Sequence, residues 1–306
     1  MLRLYNNTFR SLSEIGIGYG VQKAVNRLKT FQVCRTPNYS DKMRLTEEQK
    51  QFYKDNGYII VKNVFTKEEL EEVEVEYENL FRRQNLEKME SAWVGSNEND
   101  RQHDGIYTVK GIHTLPYHHA VFSKWVLNES LLDVLEDVMG TPNIALHHTK
   151  ANMKPPEKGA AFPMHQDYHY FPFEKDSLVA AFLHLDAANP ENGGLFVYPG
   201  SHKLGPQEDV GAREGNFHYL DQTKFPFEGA TPVIAERGDL VVFSYLLVHG
   251  SPINSSNRTR RMLLLEVTAA DDRPIGEQRL TLEQGMMLRG CNYKRDARIA
   301  KRFDVY

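Results

Sequence analysis

The sequence predicts an α+β chain that is mainly β: a jelly-roll core, or double-stranded β-helix, with N-terminal helices packed on it. Three observations carry this expectation. Helix-capping signals are confined to residues before Gly140. From Ile144 to Val267, apolar runs of strand length follow one another. Turn sequences rich in Gly, Asn and Pro punctuate those runs. Many short strands after a helical section suit a closed sandwich better than alternating βα units.

The elements follow in order. Thr46-Glu-Glu-Gln49 is a capping box, and Gly57 is a stop for the helix it opens. Tyr58 to Val61 is apolar and short enough for a strand. Thr66-Lys-Glu-Glu69 caps a second helix, running to about Arg83, with Leu70, Val73, Tyr77, Leu80 and Phe81 on one face. Residues 84–108 are polar and lack apolar periodicity, which predicts a long loop, read functionally as a lid. A helix spans about Glu129 to Met139 and closes at Gly140. Strand-like runs then cover Ile144–Met153, Phe162–Tyr168, Leu178–Leu185, Leu195–Tyr198, Val233–Ala235, Leu240–Tyr245, Leu247–His249 and Met262–Val267.

Composition narrows the class. With 306 residues, 41% hydrophobic and 25% charged, the chain has the make-up of a globular protein. No apolar run is long enough to span a membrane. A formal net charge of -4 argues against nucleic acid as the main partner. Two cysteines, Cys34 and Cys291, do not make a disulfide framework and suit a reducing compartment. The first 40 residues hold six basic side chains against the single acid Glu14. That bias resembles an organelle transit peptide; the alternative is a basic helix lying on the domain. We divide the chain into a basic segment, 1–44, and a catalytic domain, 45–306.

The chemistry begins at His165-Gln-Asp167. In a strand, residues i and i+2 share a face, so an imidazole and a carboxylate converge. A second histidine from a neighbouring strand completes a 2-His-1-carboxylate site, whose open positions suit iron(II) oxygen chemistry. His-x-Asp alone is weak, and His184-Leu-Asp186 is a second copy. Strand counting prefers His165, because six further strand-like runs then follow and His249 falls on a late one. His249 ends an apolar run, and Arg260 starts the next eleven residues on. An antiparallel return would bring that guanidinium beside the metal histidine, where its planar fork can hold a carboxylate. Arg258 and Arg261 compete for the role: Arg258 lies nearer the turn, and Arg261 points to the other face.

The stretches Leu45–Gly57, Met164-His-Gln-Asp-Tyr-His-Tyr-Phe-Pro-Phe173, Glu191-Asn-Gly-Gly-Leu195, Pro199-Gly-Ser-His-Lys203, Gly238-Asp239 and His249-Gly-Ser through Asn254 to Arg260-Arg261 are similar, in the same order, to the phytanoyl-CoA dioxygenase family. The resemblance covers about three quarters of the chain, and within the family it is nearest to the acyl-CoA 2-hydroxylases. It implies that His165, Asp167 and His249 ligate iron(II) and that Arg260 holds the cosubstrate 2-oxoglutarate. Lys110 is a looser match to a lysine offered to the cosubstrate; the alternative is a solvated side chain. Gln166, Tyr168, His169 and Tyr170 fall on the substrate side, unless they pack the barrel mouth. Where the family carries a tryptophan beside the cosubstrate, the count from His165 reaches Leu183.

The resemblance implies hydroxylation of a fatty acyl-CoA at C2, as in α-oxidation of a phytanoyl-CoA-like substrate. Iron(II), 2-oxoglutarate and O2 would take part, with ascorbate as reductant. The expected location is an organelle matrix, peroxisome or mitochondrion, with the cytoplasm as alternative. Rival readings are a family hydroxylase acting on another small molecule, such as an alcohol or amine, a non-catalytic metal-binding jelly roll, and a hydrolytic zinc enzyme.

Overall fold

The computed structural model describes residues 44–87, 110–156, 159–211, 218–276 and 281–292, all within one compact unit that starts at Met43. Its helices are α1 (Glu47–Asn56), α2 (Lys67–Glu87), α3 (Ala120–Val126) and α4 (Glu129–Met139). The strands are β1 (Tyr58–Val61), β2 (Lys110–His113), β3 (Ile144–Lys154), β4 (Phe162–His165), β5 (Val179–His184), β6 (Phe196–Val197), β7 (Thr231–Pro232), β8 (Leu240–Ser244), β9 (His249–Ser251), β10 (Arg260–Ala269) and β11 (Met287–Arg289).

Local chemistry sets the helix ends. The Thr46 hydroxyl accepts from the Gln49 amide, the Gln49 side chain accepts from the Thr46 amide, and Gly57 closes α1 at φ 79°. Thr66 and Glu69 make the same reciprocal pair ahead of α2. Leu70, Val73, Tyr77, Leu80 and Phe81 of α2 are all buried. That helix continues to Glu87, so the polar stretch begins later than its composition predicts, and the rest of the expected lid lies outside the described residues.

Two antiparallel sheets form the jelly-roll core. The larger runs β1-β8-β5-β10-β3-β11, with β2 added on β3; the smaller runs β4-β9-β6-β7. Period-two alternation gives the larger sheet two buried faces. Val179, Ala181, Leu183, Val242, Leu263 and Leu265 join helix residues in one core. Ala180, Val241, Phe243 and Leu264 meet Val197 of the smaller sheet and the adjoining Leu195, Val233 and Leu247. The expected run at 233–235 is not a strand: Ala235 makes a single bridge to Ala188, and β7 precedes it.

One irregularity positions later chemistry. β3 and β10 pair with Glu266 opposite His148 and Val267 opposite Leu146, leaving His147 as an extra residue. Such a bulge switches which residues face which side. Ile144 and Leu146 face the helices before it, Ala151 and Met153 after it. His147 and His148 therefore both turn inward. Among the described residues no helix is long and apolar enough to cross a membrane. Cys291 is free and exposed; Cys34 lies outside the described residues.

Candidate active site

His165 ends β4 and His249 begins β9, and the two are direct cross-strand partners. Their rings lie 4.2 Å apart between centroids. Asp167 reaches them differently from the strand-alternation expectation. β4 stops at His165, and Asp167 opens a 3-10 turn, Asp167–His169, that swings its carboxylate back to the two rings. Asp167 Oδ1 is 3.5 Å from His165 Nε2 and 3.6 Å from His249 Nε2.

The backbone fixes both imidazoles. His165 Nδ1 lies 2.8 Å from the Pro163 carbonyl and His249 Nδ1 2.9 Å from the Leu247 carbonyl. A carbonyl can only accept, so each Nδ1 carries the hydrogen and each Nε2 presents a lone pair to the shared centre. Burial lowers the His249 pKa to about 4, so the ring is a neutral donor. Burial alone would raise the Asp167 pKa, but attraction to His249 and His165 outweighs it and holds the carboxyl below the usual range. Two imidazole nitrogens and one carboxylate oxygen, all within 4.8 Å of one another, make a donor set for a divalent transition metal.

These residues line a cavity of about 320 Å³ between the two sheets. Arg260 lines the same cavity but stands on the larger sheet, opposite Lys154 of β3, not on a strand paired with β9. The chain after His249 does not return beside its own strand: it crosses from the smaller sheet to the larger. Arg260 is 5% exposed, and its Nε has no hydrogen-bond partner among the described residues. Burial lowers its pKa to about 10, with Asp186 offsetting this only in part, so it remains a cation at neutral pH with no ion pair among the described residues. An uncompensated buried guanidinium fits the carboxylate of an anionic ligand. Asn254 shapes the approach: its side-chain amide donates to the carbonyls of Lys154, Pro155 and Arg258, ordering the loop before β10.

The competitors are accounted for. Arg261 is held by Asp186 and Glu78, and Arg258 is exposed away from the cavity. The decoy pair separates accordingly: Asp186 serves Arg261, while His184 is buried with neither ring nitrogen bonded. Of the four substrate-side expectations, only Tyr170 lines the cavity. Gln166 is fully buried and braces the Gly205 and Leu246 carbonyls and the Gln207 amide. Tyr168 packs on Tyr245, and His169 stacks on His218. Leu183 faces the helix-side core, so it does not shape the pocket; Phe182, one residue earlier, does. Lys110 pairs with Met153, which packs on the helix side, and its own side chain lies outside the described residues.

Sequence reasoning missed one whole wall. His148, Lys150, Asn152 and Lys154 of β3, with His113 and Glu266, line the cavity. Lys154 is committed: its ammonium donates to Ser251 Oγ (2.6 Å) and the Pro252 carbonyl (2.7 Å). The signal was present as polar residues at every second position of β3, but an apolar inner face is the usual assumption.

Comparison with known proteins adds the family. The phytanoyl-CoA dioxygenase family model matches residues 53–262. The human peroxisomal phytanoyl-CoA dioxygenase is 30% identical over 240 residues, 74% of this chain and 69% of that protein. A methylphosphonate hydroxylase from Gimesia maris is 28% identical over 243 residues, 76% of this chain and 85% of that one. The crystal structure of EctD from S. alaskensis with 2-oxoglutarate and 5-hydroxyectoine shares the fold, with TM-score 0.59 at 19% identity over 77% of this chain and 79% of that one. The chain belongs to the phytanoyl-CoA dioxygenase family, whose members use iron(II), 2-oxoglutarate and O2.

Proposed function

We propose that this protein hydroxylates an organic substrate with His165, Asp167 and His249 as iron ligands and Arg260 as the anchor for the far carboxylate of 2-oxoglutarate. The carrying observation is that a tridentate donor set and a buried, unpaired guanidinium line one cavity. Iron(II) with 2-oxoglutarate and O2 supplies oxidative decarboxylation to succinate and CO2, coupled to insertion of one oxygen atom into a C–H bond. The protein's own part is positional. The Pro163 and Leu247 carbonyls aim the two Nε2 atoms, and the 3-10 turn delivers Asp167.

For the substrate, the resemblance to acyl-CoA 2-hydroxylases supports C2 hydroxylation of a phytanoyl-CoA-like thioester, in fatty acid α-oxidation within an organelle matrix. Residues 1–44 would then act as a targeting segment ahead of the catalytic domain. A second reading, a small polar molecule, is favoured by a specific observation: beside apolar walls that include Phe162, Phe182 and Leu264, the cavity carries a polar strip of His148, Lys150, Asn152 and Glu266. The test is succinate formation by protein supplied with iron(II), ascorbate and 2-oxoglutarate, with and without phytanoyl-CoA. Substrate-dependent succinate supports the acyl-CoA reading. Its absence, with 2-oxoglutarate still consumed, rejects that reading and leaves the dioxygenase assignment standing.

A further inference from the structure

The Glu266 carboxyl is 3% exposed, lines the cavity, and its Oε2 has no hydrogen-bond partner among the described residues. Leaving such an oxygen unsatisfied is costly, so buried polar groups of this kind call for a ligand. Its surroundings are built, not accidental. The β-bulge places His147 and His148 side by side opposite Glu266, with their Nδ1 atoms 2.8 Å apart. Their Nδ1 atoms lie 3.5 and 3.4 Å from Oε2, longer than a well-formed hydrogen bond. Phe171 closes over both rings, at 4.6 and 5.3 Å between centroids. Burial keeps both imidazoles neutral, His147 near pKa 4, and the same burial raises the Glu266 pKa. Lys150, also buried, lines the same wall.

We propose that Glu266, framed by His147 and His148, is a recognition subsite that accepts a hydrogen bond from an amine or hydroxyl of the primary substrate. This rests on the dioxygenase reading above and names its substrate class: a small donor-bearing molecule, not an acyl chain. An apolar chain placed against this wall would leave the Glu266 Oε2 buried without a hydrogen-bond partner. A substrate ammonium or hydroxyl satisfies the carboxyl and fixes which C–H bond faces the iron ligands.

The test uses the full chain loaded with iron(II) and 2-oxoglutarate, with succinate as readout. Probes are matched sets: proline against cyclopentanecarboxylate, cyclopentylamine and cyclopentanol against methylcyclopentane, larger polycyclic amines and alcohols against their deaminated or deoxygenated forms, and phytanoyl-CoA. Donor-bearing members are expected to stimulate turnover with kcat/KM ~10- to 100-fold above their donor-free partners. Glu266→Gln, which keeps the size and an acceptor oxygen but cannot ionise against a bound ammonium, is expected to raise KM for amines while sparing alcohols; Glu266→Leu should lose both. Equal turnover of donor-bearing and donor-free partners overturns the inference, as does best turnover of phytanoyl-CoA, or no stimulation by any donor-bearing probe. Should the variants fail to fold, the wild-type comparison of matched partners still decides. Failure of the underlying reading looks different: the wild-type protein then shows no iron-dependent consumption of 2-oxoglutarate with any probe.

Discussion

Replacing Arg260 with methionine keeps the length of the side chain and removes its donors, and the structure predicts two opposite consequences. Truncating one partner of a buried, hydrogen-bonded charge pair costs about 2–5 kcal/mol, and each 1.4 kcal/mol is tenfold, so the Kd for 2-oxoglutarate should rise roughly 30- to 4000-fold. In the cosubstrate-free protein the sign reverses. The guanidinium is buried with no ion pair among the described residues, and its pKa of about 10 lies below the ordinary 12.5. A depressed cation costs the folded state stability at every pH below that value, so the cost is fully present at neutral pH. Arg260→Met should therefore raise Tm without 2-oxoglutarate and abolish the further rise that ligand gives the wild type. Calorimetric titration and thermal melts with and without 2-oxoglutarate measure both. A variant that binds 2-oxoglutarate within threefold of wild type would falsify the anchor role. A variant that melts lower than wild type in the absence of ligand would contradict the claim of an uncompensated charge.

Three further outcomes follow from the same geometry. His165→Ala and His249→Ala should lose bound iron by elemental analysis while His184→Ala retains it, because His184 stands with the decoy acid Asp186 occupied by Arg261. Glu283 accepts from the Thr149 amide and hydroxyl, and burial raises its pKa from 4.5 to about 7. A raised carboxyl contributes stability that is full below pH 4.5 and lost as pH rises through 7, so Glu283→Gln should gain in Tm over wild type across that window, and a constant difference would contradict it. The Tyr77 hydroxyl donates to the Asn152 carbonyl at 2.6 Å inside the core, so Tyr77→Phe should destabilise by about 1–3 kcal/mol in urea unfolding.

Much of the fold was legible because local chemistry and global burial agree in those segments. Thr46, Gly57 and Thr66 bound their helices through capping groups that tertiary contacts do not override. The apolar runs of β5, β8 and β10 are buried on both faces, which makes them conspicuous. β2 escaped notice because it is four residues next to a polar stretch, held only by pairing to β3. α3 escaped because His119, not one of the preferred capping residues, caps it. For the site, residue types and spacing identified which side chains to watch, but not how they meet. Asp167 arrives through a 3-10 turn, and Arg260 from the facing sheet. The bulge at His147 could not be read from sequence, since it depends on how β3 and β10 register against each other. The polar inner wall was hidden for a related reason: alternation is visible in β3, but which face is inward is decided by the sheets on either side.

The proposed catalysis requires one metal held by His165, Asp167 and His249. The direct test is an anaerobic titration of the protein with iron(II) and 2-oxoglutarate, following bound metal and the visible charge-transfer absorption of the chelate. Wild type is expected to take up stoichiometric iron and develop the band when 2-oxoglutarate is added. His165→Ala, Asp167→Ala and His249→Ala are each expected to bind iron weakly and show no band. Full iron binding with an unchanged band in any of the three would contradict the assignment of these side chains as the ligands.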